Sequence, residues 1–292
     1  MLTRYRGTLP IALMLMLVGA GPVLAADPTS PPPPGGSTDP AAAGGAAPGA
    51  PVVPVAAAVG AYSTANWPYE LTLRPVVLGT GMIEIRGDLF ISLSKGYVGK
   101  PFQITPAVYY GLNEQLTLGL FQDTLCFSGS PTCKFFDSLG VDAIFALLQQ
   151  ANINLAVRGA LEAASFDAGF WRLRIGALGK YYAGRLAIQF DPKLMIGLNK
   201  RSGGNGDILA IPLDIQYQID QMLAAVLTIG IVGPLDGFSD VFQIPVGFGA
   251  HYTINRQMDV AGQLLFLNLL GKAPGYSNLD ARALQFFLNY RI

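Results

Sequence analysis

The chain has one histidine, His251, standing two residues before a hydroxyl in the run "HYT" at 251–253. A histidine beside a hydroxyl can serve as base to a nucleophile when a third polar group orients the ring. Here the hydroxyl is that of Thr253 and the sequence offers no evident orienting partner, so His251 reads as a hydrogen-bonded polar residue. Glu84 and Asp88 could form an acid–base pair, but Arg86 stands between them at the same parity and the three read as a charge ladder. Cys126 and Cys133 enclose "FSGSPT", a polar turn sequence. Two thiols with no nearby histidine supply too few ligands for a metal, and a redox-active pair is usually spaced more tightly. A structural disulfide closing a loop is therefore expected. No catalytic, cofactor-binding or metal-binding residue is assigned.

The remaining polar side chains recur at alternate positions in otherwise apolar segments. Only 13% of the residues are charged against 51% hydrophobic, and mean hydropathy is positive, which is unusually apolar for a soluble domain. Formal net charge is zero and no basic run exists, which argues against a nucleic-acid partner.

The elements that carry these residues alternate with a period of two, the strand signature. In "MIEIRGDLFISLS" Ile83, Ile85, Leu89, Ile91 and Leu93 oppose Glu84, Arg86, Asp88 and Ser92. In "LAIQFDPKLMIGLN" Leu186, Ile188, Phe190, Leu194 and Ile196 oppose Gln189, Asp191, Lys193 and Met195. In "ALQFFLNYRI" Leu284, Phe286, Leu288, Tyr290 and Ile292 oppose Gln285, Asn289 and Arg291. About twelve such segments follow one another, joined by turns that are short and polar at one end and longer and richer in Gly, Ser, Pro or charge at the other. Lipid cannot satisfy backbone N–H and C=O groups, so strands in a membrane must close on themselves. The expectation is an all-β fold, a transmembrane antiparallel up-and-down β-barrel of about 12 strands.

In that frame the polar face lines the lumen: Glu84, Arg86, Asp88, Asp123, Asp142, Arg158, Glu162, Arg172, Arg174, Lys180, Asp191, Lys193, Asp214, His251 and Arg291. The near balance of sign predicts cross-strand ion pairs. Ala224, Val226, Thr228, Gly230, Gly247 and Gly249 make one wall of small residues, which leaves either a narrow water-filled passage or room for the N-terminal segment. Tyr109, Tyr110, Tyr181, Tyr182, Tyr217 and Tyr252 precede short turns and Tyr290 precedes the C-terminus, predicting an aromatic girdle at one membrane interface. Pro106, Pro192, Pro212 and Pro245 fall inside proposed strands, where each deletes a ladder hydrogen bond.

Residues 1–25 read as a signal peptide: Arg4 and Arg6, an apolar run from Leu9 to Val18, and small residues at "VLA". Residues 26–68 are rich in Pro, Ala and Gly with almost no charge, the composition of a flexible linker. The barrel is assigned to residues 69–292.

With its signal peptide, the hairpin "YYGLNEQLTLGLF" and the terminal strand "LQFFLNYRI", the chain resembles bacterial outer-membrane β-barrel proteins. That resemblance implies the outer membrane of a Gram-negative bacterium, contact with outer-membrane lipid and lipopolysaccharide, and insertion by the barrel-assembly machinery. The machinery reads a C-terminal strand that usually ends in an aromatic residue; here the end is Ile292, with Tyr290 and Phe286 at alternate positions before it. Outer-membrane phospholipases of twelve strands carry a His-x-Ser arrangement, from which Thr253 departs. The function expected is a narrow passive channel for small solutes. The alternatives are a non-conducting structural or surface-interaction barrel and, more distantly, a lipid hydrolase; an enzyme is not expected.

Overall fold

The computed structural model describes residues 62–96, 98–123, 125–128, 133–150, 152–272 and 279–292. The expected signal peptide (1–25) and most of the expected linker (26–68) therefore lie outside the described residues. Fourteen strands run in chain order: β1 (Ile83–Ser92), β2 (Phe102–Gly111), β3 (Leu116–Phe121), β4 (Leu125–Ser128), β5 (Leu139–Gln150), β6 (Ile153–Ser165), β7 (Phe170–Ala183), β8 (Leu186–Phe190), β9 (Lys193–Gly197), β10 (Ile208–Gln218), β11 (Leu223–Pro234), β12 (Val246–Asn255), β13 (Met258–Phe266) and β14 (Arg282–Arg291). β3 and β4 both pair with β2, and β8 and β9 both pair with β7 and β10, so each couple is one interrupted stave. Twelve antiparallel staves result. β1 pairs with both β2 and β14, which closes the ring and leaves no edge.

The staves exist because each is apolar on one face only. Ile175 is 50% exposed, Leu161 43% and Leu288 43%, all pointing outward, while Glu162, Arg174 and Asn289 beside them are buried. An apolar exterior around a polar interior is the architecture of an outer-membrane β-barrel, the inverse of a soluble sandwich. An Ile175→Arg substitution, in the middle of β7, is expected to cost about 2–4 kcal/mol, read by urea titration of heat-modifiable gel mobility.

The four prolines sit where the ladder is already relaxed. Pro106 lies opposite Gly87 and Pro212 opposite Gly230. Pro192 falls in the break between β8 and β9, where its carbonyl accepts from the Ala177 N–H at 3.0 Å. Pro245 precedes β12 and its carbonyl accepts from Gly230. Inward glycines have a different cause. Gly119 pairs with Tyr109 and Gly140 with Phe121, and a Cβ on either glycine would stand under 3 Å from the partner's ring. Each aromatic ring lies flat across the neighbouring strand in the space its glycine leaves.

The girdle requires a correction. Tyr110, Tyr181, Tyr217, Tyr252 and Tyr290 are 41–50% exposed at the short-turn end, as expected, but Tyr109 and Tyr182 are buried inside the barrel. Consecutive residues of a strand must face opposite sides, so only one of each tyrosine pair can meet lipid.

Candidate functional site: a plugged lumen

Residues 62–82 precede β1 and enter the barrel from the short-turn end, the end that also holds Ile292. Residues 62–68, at the boundary of the Pro/Ala/Gly-rich segment, are thus part of the packed unit. Trp67, Leu71, Val76, Val77, Leu78 and Met82 form an apolar core with inward residues Ile144, Ala146, Ala156, Leu178 and Ala224. Part of the lumen wall at this end is therefore apolar, and Ala146, Ala156 and Ala224 leave room for the segment. The segment closes on itself: a Cβ on Gly79 would sit 1.8 Å from the Tyr62 carbonyl oxygen, so only glycine permits the crossing.

Side chains and amides fasten this plug. The Thr72 N–H donates to Gln218 Oε1 at 3.2 Å, and the Leu78 N–H to Thr117 Oγ1 at 2.9 Å. Lys180 Nζ donates to the Leu71 carbonyl at 2.7 Å. Arg74, fully buried, gives Nη2 to Asp259 Oδ1 at 2.8 Å and to Thr253 Oγ1 at 2.7 Å, while its Nε donates to the Pro68 carbonyl at 3.0 Å. The Arg291 guanidinium lies 5.1 Å from the centre of the Trp67 ring.

The expected lumen residues all point inward, and most fall into three groups of two carboxylates and two cations. In the first, Arg291 bridges Glu84 (2.6 Å) and Asp259 (2.8 Å), and Arg86 Nε reaches Glu84 at 2.5 Å. In the second, Arg158 joins Asp142 (2.5 Å) to Asp191 (3.2 Å), and Lys193 adds a bond to Asp191 at 3.0 Å. Tyr109 belongs here too: its hydroxyl donates to Asp142 at 3.4 Å, and the Arg86 guanidinium stacks 4.3 Å above its ring. In the third, toward the long loops, Arg174 pairs with Asp123 and with Glu162 at 2.7 Å, beside Arg172, which donates to Asn205 Oδ1 at 2.7 Å. Asp88, Asp214 and Lys180 stand outside the three groups. Asp259 and Arg74 are not among the expected lumen residues; the signal available was the parity of Asp259 with Ala261 and Gln263 on β13.

His251 and Thr253 are both fully buried beneath the plug. The Thr253 hydroxyl donates to the Tyr69 carbonyl at 2.8 Å and accepts from Arg74. His251 Nε2 lies 3.9 Å from Asp259 Oδ1, whose oxygens are engaged by two arginines. No hydrogen bond joins His251 to Thr253 among the described residues, so the two do not form a nucleophile–base pair. The Cys126–Cys133 disulfide is formed, its Cα atoms 5.4 Å apart, and ties β4 to the following loop.

Beside the small-residue wall lies a cavity of about 30 Å³ lined by Asp214, Thr228, Gln263, Gln285, Leu265 and Phe287. A water needs about 10–15 Å³ on this measure, so the space holds about two.

No protein-family model and no curated protein sequence matches the chain. Among solved structures it is similar to a KdgM porin (8% identity, TM-score 0.49, covering 71% of this chain and 98% of that one). It is also similar to a NanC porin (9%, 0.48, 71% and 97%) and to the COG4313 outer membrane channel of Pseudomonas putida F1 (13%, 0.49, 74% and 97%). The assignment to the outer-membrane β-barrel architecture rests on the chain's own ring of twelve staves, apolar without and charged within.

Proposed function

We propose that this chain is a narrow channel for small solutes in the outer membrane of a Gram-negative bacterium, held shut at rest by residues 62–82. Lipid and lipopolysaccharide would cover the apolar belt, and the barrel-assembly machinery would insert it. One observation carries the reading: residues 62–78 belong to no stave and, among the described residues, make no backbone–backbone hydrogen bond with one. The first such bond is that of the Gly81 N–H to the Gly111 carbonyl of β2 at 2.7 Å, so residues 62–78 can leave without breaking the ladder. The charge pattern agrees. Removing one partner of a buried ion pair is costly because it strands the other. Here Asp259 stays paired with Arg291 when Arg74 withdraws, and the first charge group is then balanced.

Planar-bilayer recordings test this. The full chain is expected to be closed with rare openings, and a chain lacking residues 62–78 to conduct continuously. Silence from a correctly folded deletion variant, judged by heat-modifiable migration, would leave the structural-barrel reading in its place. The small volume of the resting cavity is the observation favouring that second reading.

A further inference from the structure

We infer that the open lumen prefers small cations and that Asp88 and Asp214 set this preference; the inference rests on the channel reading above. The three charge groups of the wall are each neutral within themselves, so they contribute little net field along the path. What remains decides selectivity. Asp88 is 6% exposed and, among the described residues, takes no hydrogen bond or ion pair. Arg86, two residues earlier on the same face, gives its Nε to Glu84 instead. Asp214 is 8% exposed, faces the cavity, and is met by a hydroxyl rather than a cation, Thr228 Oγ1 at 2.6 Å. Both carboxylates stand in the middle of their strands, β1 and β10. The remaining cation, Lys180, lies at the plugged end with its ammonium on the Leu71 carbonyl.

Burying a carboxylate without a cation is unfavourable and adds nothing to the barrel. Two such groups at mid-height therefore point to the path rather than the wall. Once the plug withdraws and water fills the lumen, each attracts passing cations. Arg86 near Asp88 and Lys193 near Asp214 are already balanced within their own groups, and Lys180, which also acts on Asp214, is a single cation against the two carboxylates. At about 7 Å in water, one carboxylate raises the local concentration of a monovalent cation roughly threefold and lowers that of an anion by the same factor.

The test is the reversal potential of the full chain under a KCl gradient, with Arg74→Ala used to raise the open probability. The expected result is K⁺ favoured over Cl⁻ by at least roughly threefold, a preference lost in Asp88→Asn/Asp214→Asn and turned to Cl⁻ by Asp88→Asn/Asp214→Lys. Asn is isosteric with Asp, and heat-modifiable migration confirms that each variant folds. A Cl⁻ preference in the parent, or a K⁺ preference untouched by the Asn substitutions, would overturn the inference while leaving the channel standing. A chain silent in every variant overturns the channel reading and the inference with it.

Discussion

Arg74→Glu is expected to turn a mostly silent barrel into a conducting one. Arg74 ties the plug to the wall by a fully buried ion pair, and its partner Asp259 lies beside Glu84 through the shared Arg291. A glutamate there would face two carboxylates and lose the donors that satisfy Thr253, Pro68 and Tyr69. Repulsion from Asp259 together with the lost hydrogen bonds costs the seated plug on the order of 3 kcal/mol, about a hundredfold in plug occupancy. Arg74→Lys separates charge from geometry: it keeps the ion pair with Asp259 but not the forked set of bonds, so openings should rise by a smaller factor. Single-channel open probability reads both. If Arg74→Glu leaves it at the parental level in a folded barrel, the Arg74 contacts do not hold the plug, and its apolar core with the Gln218, Thr117 and Lys180 bonds does.

The second large effect is on the barrel itself. Arg291→Ala is expected to destabilise the fold by about 3–5 kcal/mol, because Glu84 and Asp259 would both lose a buried partner. The position matters as much as the pairing. Arg291 lies on β14 and reaches carboxylates on β1 and β13, the strands on either side. β1 and β14 are the first and last staves, so Arg291 pins the seam at which the cylinder closes. It also lies over the Trp67 ring, coupling the seam to the plug. The temperature at which the folded band disappears from unheated gels should fall, whereas Arg282→Ala, at the exposed opposite end of β14, should leave it unchanged. Equal losses from both would mean that the seam needs no charge bridge.

Much of this architecture was legible in the residues. Ile85 and Ile91 alternate with Glu84 and Arg86, and a one-residue slip in register would expose every charge to lipid, so parity assigns each side chain to a solvent. The stave number followed from counting such segments between turns. Parity also excludes Tyr109 and Tyr182 from the girdle, since each adjoins a tyrosine that meets lipid; applied to the tyrosines as strictly as to the charges, it would have turned them inward.

What alternation cannot encode is which inward residues meet across the lumen. That depends on ring closure, which brings Glu84 and Arg291 together over 207 residues of sequence separation. The plug was half legible: the small-residue wall at Ala224 and Val226 left room for an N-terminal segment, and residues 62–82 do pack there, but which residues fill it was hidden for a related reason. Residues 62–82 have no strand period, and their apolar side chains find a partner only in the space enclosed by twelve closed staves. Alanines 146, 156 and 224 leave that space, but an inward alanine acquires the meaning of a seat only once the cylinder exists around it. Local pattern determined which side of the wall each residue occupies, because lipid and water are opposite solvents; the closed three-dimensional ring decided what fills the inside, because packing and ion pairing depend on distance in space rather than along the chain.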